Sequence, residues 1–167
     1  ACLESLIIGD GIERLEVLVI NDGSKDSSLD IAKDFSGRYP TVFKVIDKEN
    51  GNYGSCINRG LKEATGKYVK VLDADDSYDN DNFAEFVDYL AGIDSDLVLS
   101  DYVEVDEDGK VTGEHKYGFP TDRLLRFDDI CVTPSFKDMQ MHAVTYRRQM
   151  LGDMGYTQSE GVSYTDQ

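Results

Sequence analysis

Residues Tyr68 to Tyr78 read YVKVLDADDSY. Tyr68, Val69, Val71 and Leu72 are strand formers, and their run ends in Asp73, Asp75 and Asp76 before the turn-forming Ser77, Asp79 and Asn80. The pattern predicts a buried strand that delivers acids to a sheet edge. Three carboxylates within four residues repel one another, which costs stability unless a cation or strong donors sit among them. A hard divalent ion suits such a group, because Mg²⁺ takes one or two protein carboxylates and completes its shell with water and phosphate oxygens. On a chain this acidic the same residues also read as a solvated turn, so the surrounding pattern has to decide.

Working back toward the start, Glu16 to Ile20 is a continuous apolar run of strand length, the signature of a parallel strand covered on both faces. It breaks into the turn-rich Asn21, Asp22, Gly23 and Ser24. Asp26 or Ser27 can then cap a helix to about Arg38, with Leu29, Ile31, Ala32 and Phe35 inward. Pro40 stops that helix, and Val42 to Ile46 supplies the next strand. A loop through Asn50, Gly51 and Asn52 leads to a helix over Tyr53 to Ala64, and Gly66 suits a left-handed cap beyond it. After the acidic stretch, Asn82 to Ala91 is amphipathic, with Phe83, Phe86, Val87 and Leu90 on one stripe. Strand and helix alternate throughout, which predicts an α/β fold with a mixed, mostly parallel sheet and helices on both faces. In such sheets ligands sit beyond the carboxyl ends of the strands, where Asp22 and the Asp73 to Asp76 cluster fall.

Past Gly92 the pattern changes. Leu97 to Ser100 reads as a buried strand, and Tyr102 to Asp106 with Lys110 to Glu114 reads as a hairpin turning at Asp108 and Gly109. Residues 115 to 138 read as a long loop with a short helix near Asp122 to Phe127. Met141 to Tyr146 reads as a strand, Arg147 to Met150 as a helical turn, and the tail from Gly155 as loop. Ala1 to Ile8 reads as a helix already under way, and no closing element precedes Gln167, so the chain is expected to be a piece of a longer protein: one domain over residues 1 to 167.

The bulk numbers agree. At 167 residues the chain is long enough for one core, and 40% hydrophobic with 30% charged residues fits a globular protein without an apolar run of membrane-spanning length. Lys and Arg number 17 against 33 Asp and Glu, a net charge of −16, which argues against nucleic acid or an anionic membrane as direct partner. Phosphates would need a metal or local donors. Cys2, Cys56 and Cys131 are odd in number and widely spaced, which fits a reducing, cytoplasmic compartment and no disulfide framework or zinc site.

VLVINDGSKDSSLDIAKDF, residues 17 to 35, followed by ENGNYGSCINRGLKEATGKYVKVLDADD, residues 49 to 76, resembles the family 2 glycosyltransferases of the GT-A fold that build bacterial cell-surface polysaccharides. The resemblance is strong from Leu15 to Tyr78 and weaker from Asp94 to Gln167. It implies inverting transfer of a sugar from a nucleotide-sugar donor, UDP-linked by expectation, to a glycan or lipid-linked acceptor. It also implies a bound Mg²⁺ or Mn²⁺ and a peripheral place at the inner face of the membrane. Two departures stand out. The family opens with a strand that helps hold the base, and this chain starts after it. The family's acidic pair near the domain's end corresponds here to Thr165 and Asp166.

The resemblance also implies roles. Asp75 and Asp76 match the metal and ribose contacts, Asp73 a less certain third, and Asp22 the acid that bonds the base or ribose. Asn58 and Gly54 match positions near the nucleotide, with packing as the plain reading. Asp166 matches the base that takes the acceptor proton, with His142 as the alternative. Arg147 and Arg148 read as phosphate contacts or as a solvated pair. Two rival functions remain, one within enzymes and one from another class. A nucleotidyltransferase would carry a glycine-rich basic phosphate loop near its start, and none is visible; a domain that binds nucleotide or sugar without turnover would lack donor hydrolysis.

Overall fold

The computed structural model describes residues 1–121, 123–133 and 139–161. The apolar run after Glu16 forms strand β1, Val17–Asn21, and the run after Pro40 forms β2, Phe43–Asp47. They pair in parallel, with Val17 opposite Phe43 and Asn21 opposite Asp47. Helix α1, Ser28–Arg38, makes the crossover between them. Along β1 alternate side chains face opposite ways: Val17 and Val19 join a core with Phe35 of α1, Phe43, and Leu6 and Ile8 from the start of the chain. Phe43 is 1% exposed, with the Phe35 ring 5.5 Å and the Tyr39 ring 6.0 Å away. Ala32 and Phe35 are buried as expected, whereas Ile31 is exposed. It lies about 100° around the helix from Ala32, off the stripe facing the core.

Helix α2, Asn52–Glu63, packs against β1. Gly66 does not adopt the left-handed conformation expected of a cap; instead Glu16 Oε2 accepts the N–H of Thr65 at 2.7 Å and of Gly66 at 3.3 Å. Strand β3, Tyr68–Lys70, then carries the chain toward the acids. Helix α3, Asn80–Gly92, starts at an Asp79 cap whose side chain accepts the Asn82 N–H, and it sends Phe83 and Val87 into the core shared with α1.

Beyond β4, Leu97–Leu99, comes the expected hairpin of β5, Tyr102–Val105, and β6, Val111–His115, with Gly109 at φ +78° in its turn. A short helix, α4, covers Phe127–Ile130, later than the sequence suggested; Asp122 lies outside the described residues. Met141–Ala143 is a 3₁₀ turn where a strand was expected. Strand β7 follows at Val144–Arg147, and α5 spans Arg148–Asp153.

Strict alternation would place β4 beside β3. Instead β7 lies between them, antiparallel to both, with Lys70 opposite Thr145 and Leu99 opposite Val144. Thr145 is 1% exposed. The opening segment also differs from expectation. Leu3–Leu6 is a 3₁₀ turn rather than part of an α-helix, because its polar groups are used across the fold. Ser5 Oγ accepts the Tyr78 N–H at 3.1 Å, and Asn80 Nδ2 donates to the carbonyls of Ser5 and Ile7, each at 3.2 Å.

One strand position works against stability. Lys70 Nζ and Thr145 Oγ1, on residues facing each other across the β3–β7 ladder, are buried with no hydrogen-bond partner among the described residues. Burial pushes the Lys70 ammonium down to about 8. Because the unfolded chain then binds more protons between about pH 8 and pH 10.4, stability rises with pH across that window. Lys70→Met removes the buried charge and fills the same space, so it is expected to stabilise the protein at pH 7 by about 1–3 kcal/mol in urea unfolding. The gain should shrink at pH 10.

Candidate active site

The parallel register of β1 and β2 sets the first half of the site. Asn21 and Asp47 end the two strands as partners, and Asn21 Nδ2 donates to Asp47 Oδ1 at 2.7 Å. The next residue on each chain, Asp22 and Lys48, therefore reaches the same point beyond the strand ends. Lys48 Nζ donates to Asp22 Oδ1, and also to Ser55 Oγ at 2.9 Å and the Glu49 carbonyl at 2.8 Å. Two backbone donors complete the arrangement: the Gly51 N–H reaches Asp22 Oδ1 at 2.9 Å and the Asn52 N–H reaches Oδ2 at 3.0 Å. Asn52 holds a φ of +68°, a conformation asparagine tolerates better than most side chains. The turn just before α2 thereby aims its amides at the carboxylate.

These partners set the charge on Asp22. Burial is the largest single influence and works to raise its pKa. The Lys48 bond and charge and the N–H groups of Gly51 and Asn52 together outweigh it and hold the carboxyl below the ordinary value. A group with a depressed folded pKa contributes stability above the unfolded value of about 3.9, and the contribution is lost as pH falls through the folded value. The stability difference between the wild type and Asp22→Asn is therefore expected to be full at pH 6 and to shrink below about pH 4. Paired urea unfolding curves measure it.

The second half of the site is the acidic turn after β3. The Asp76 N–H donates to the Asp73 carbonyl at 3.1 Å, so Asp73, Asp75 and Asp76 share one tight turn. Tyr53, in the first turn of α2, donates its hydroxyl to Asp73 Oδ1 at 2.8 Å, and Met141 Sδ lies 3.6 Å from the Tyr53 hydroxyl oxygen. Burial raises the Asp76 carboxyl above its ordinary pKa, and the charges of Asp73 and Asp75 add to the rise, while nearby His142 opposes it. His142 also meets the Tyr102 ring edge-on at 4.5 Å, and Tyr102 stacks on His115 at 4.4 Å, so His142 packs between the acids and the β5–β6 hairpin.

The donor set fits a hard divalent ion. Asp75 and Asp76 are adjacent carboxylates of the hard-oxygen type such an ion takes, and burial, with the charges of Asp73 and Asp75 adding to it, raises the Asp76 pKa. Among the described residues no three His, Cys, Asp or Glu side chains form a metal-holding group. An ion at Asp75 and Asp76 would thus draw its other ligands from water and phosphate, as Mg²⁺ commonly does.

The fold brings Asp22 and Asp73 to one helical turn: the Asn52 N–H bonds the first and the Tyr53 hydroxyl the second. Sequence reading missed Lys48 and Tyr53. The signal for Lys48 was its place one residue past β2, level with Asp22 past β1. Asn58 lies further along α2, with its amide bonded to Gln158 and Glu160. Arg147 pairs with Asp94 at 2.9 Å and Asp96 at 3.8 Å, and Arg148 donates to the carbonyls of Gly66 and Thr65; all of these partners are away from the acidic turn. Asp166 and Thr165 lie outside the described residues.

Comparison with known proteins gives concordant results. Residues 1–155 match the family profile described as "Glycosyl transferase family 2". The putative glycosyltransferase EpsH of Bacillus subtilis (strain 168) is 36% identical over 65% of this chain and 31% of its own length. The uncharacterized glycosyltransferase YibD of Escherichia coli (strain K12) is 37% identical over 74% of this chain and 34% of its own. The minor teichoic acid biosynthesis protein GgaB of Bacillus subtilis is 30% identical over 69% of this chain. The chain thus spans about a third of the length of EpsH and YibD. Among solved structures, S. aureus TarS 1-349 in complex with UDP-GlcNAc superimposes over 99% of this chain and 46% of that one, with a TM-score of 0.74 at 21% identity. That likeness establishes the GT-A fold.

Proposed function

Because the chain belongs to glycosyl transferase family 2, we propose that it transfers a sugar, with inversion, from a nucleoside diphosphate donor to a glycan or lipid-linked acceptor in bacterial cell-surface polysaccharide synthesis. One observation carries the reading: the first turn of α2 ties Asp22 at the end of β1 to Asp73 after β3, so strand-end acids from both halves of the fold serve one site. TarS, which shares the fold, has been solved with UDP-GlcNAc and with UDP, which favours a uridine donor.

In this reading Asp22 accepts an N–H of the base or a ribose hydroxyl, and Lys48 and the Gly51 and Asn52 amides keep it ionised for that task. Asp73 is fixed by Tyr53 and faces the ribose and phosphates. Asp75 and Asp76 would hold Mg²⁺ or Mn²⁺, which when bound would offset the charge on the departing diphosphate. Asp166 takes the proton of the acceptor hydroxyl as the new bond forms. His142 packs beside Asp76 and Tyr102, so it shapes the wall of the site. No helix among the described residues is long and apolar enough to cross a membrane.

The test is calorimetric titration of UDP with Mn²⁺, repeated with EDTA, followed by turnover of UDP-sugars. Binding that requires the metal, together with release of UDP from a sugar donor, supports the assignment. A folded sample that binds none of UDP, GDP, CDP or dTDP in the presence of Mn²⁺ rejects it. Binding without turnover favours the alternative of a nucleotide-binding domain.

A further inference from the structure

The amide of Asn58 is engaged by the chain itself. Its Nδ2 donates to the Gln158 carbonyl at 2.9 Å and to Glu160 Oε1 at 2.7 Å, while its Oδ1 accepts the Gln158 N–H at 2.7 Å. A primary amide that meets both the N–H and the C=O of one residue imitates the two-point pairing of an antiparallel strand neighbour. It therefore fixes backbone, not merely a side chain.

Gly54 supplies an independent sign of the same contact. It is buried, and a Cβ at this position would stand 2.0 Å from the Ser159 carbonyl oxygen and 2.9 Å from its carbon. Backbone cannot yield as a flexible side chain can, so the close approach requires glycine. Gly54 and Asn58 are four residues apart and share one face of α2. The missing side chain and the amide thus seat the same stretch, Gln158 to Glu160. The two residues before Gly54 are Asn52 and Tyr53, which hold Asp22 and Asp73. The seated stretch is accordingly set in register with both halves of the candidate site by a single helix.

The geometry points to Gly54 and Asn58 as positioning residues: they dock residues 158–160 on α2 and fix where the chain leaves for Asp166. Five residues lie between Glu160 and Asp166 in the sequence, so the anchored stretch leads directly into the segment that carries the proposed base. The inference rests on the reading of Asp166 as the base, and it takes Asn58 out of the set of donor contacts.

The experiment compares the full chain with Asn58→Ala and Gly54→Ala by amide hydrogen exchange, UDP titration with Mn²⁺, and release of UDP from UDP-N-acetylglucosamine. In both variants the Gln158 amide is expected to exchange at least tenfold faster, while amides of β1 and β2 keep their protection and show that the fold is intact. UDP affinity is expected to stay within about twofold, with turnover falling at least tenfold through kcat at constant KM, the pattern of an interaction that acts on the chemical step. Unchanged exchange at Gln158 in both folded variants would overturn the docking. A tenfold loss of UDP affinity in Asn58→Ala would overturn it in favour of a donor ligand. If the wild type binds no UDP, the transferase reading fails, and the exchange data alone still decide whether the clamp exists.

Discussion

Asp76→Ala is expected to lower sugar transfer by about 10²–10³-fold and to abolish metal-dependent UDP binding, on the scale of about 2.7–4 kcal/mol for removing one preorganised charge partner at a reacting centre. The reason is electrostatic. The chain carries a net charge of −16, and the donor site proposed above brings together Asp22, Asp73, Asp75 and Asp76. A diphosphate approaching four carboxylates is repelled unless a cation stands between them, and each unit charge at about 4 Å contributes about 4 kcal/mol at an effective dielectric of about 20. Asp76→Asn keeps the shape and loses the charge, so it should fail almost as badly. Stability should move the other way. Burial and the charges of Asp73 and Asp75 already hold the Asp76 carboxyl above its ordinary pKa, so neutralising it relieves repulsion in the folded state. A thermal midpoint equal to or above that of the wild type, combined with lost turnover, would match this conflict between function and stability. Retention of more than a tenth of wild-type turnover by Asp76→Ala would remove Asp76 from the site.

The second large effect falls on the core. Phe43 is 1% exposed, sits at the start of β2, and packs on Phe35 and Tyr39, where α1 closes over the β1–β2 pair. Phe43→Ala leaves a cavity that these neighbours fill only in part, and it is expected to cost about 3–5 kcal/mol. Against a total stability of about 5–15 kcal/mol, that loss removes a large share of the margin that keeps the chain folded. Leu124, 79% exposed, is the control: Leu124→Ala should change stability by less than about 0.5 kcal/mol. Urea unfolding of the two variants side by side checks the contrast. Similar losses in both would mean that the core is not where the packing places it.

Much of the fold was legible in the sequence because its signals are local. A strand run ending in a turn tetrad at Asn21 to Ser24, a helix stopped by Pro40, and the stripe of Phe83, Phe86, Val87 and Leu90 all depend on residues within one or two turns of each other. The order of strand and helix, the delivery of Asp22 and Asp73 to strand ends, and the family followed from those runs. Misreadings arose where a distant partner competed with local preference. Leu3–Leu6 has helical spacing, yet Ser5 and Ile7 bond to Tyr78 and Asn80, and the segment tightens to a 3₁₀ turn.

What only the tertiary structure decided are the pairings between far-separated residues. The insertion of β7 between β3 and β4 joins Lys70 to Thr145, and no periodicity within either strand encodes which neighbour it takes. Lys48 is an ordinary surface lysine by sequence and a ligand of Asp22 by register. Asn58 reads as a donor contact within its helix, and it is the residue one hundred positions later that claims its amide. The physical cause is the same in each case. Propensity and hydrophobic pattern act along the chain and determine which elements form, whereas buried polar groups must find partners in space, and those partners exist only once the elements have packed.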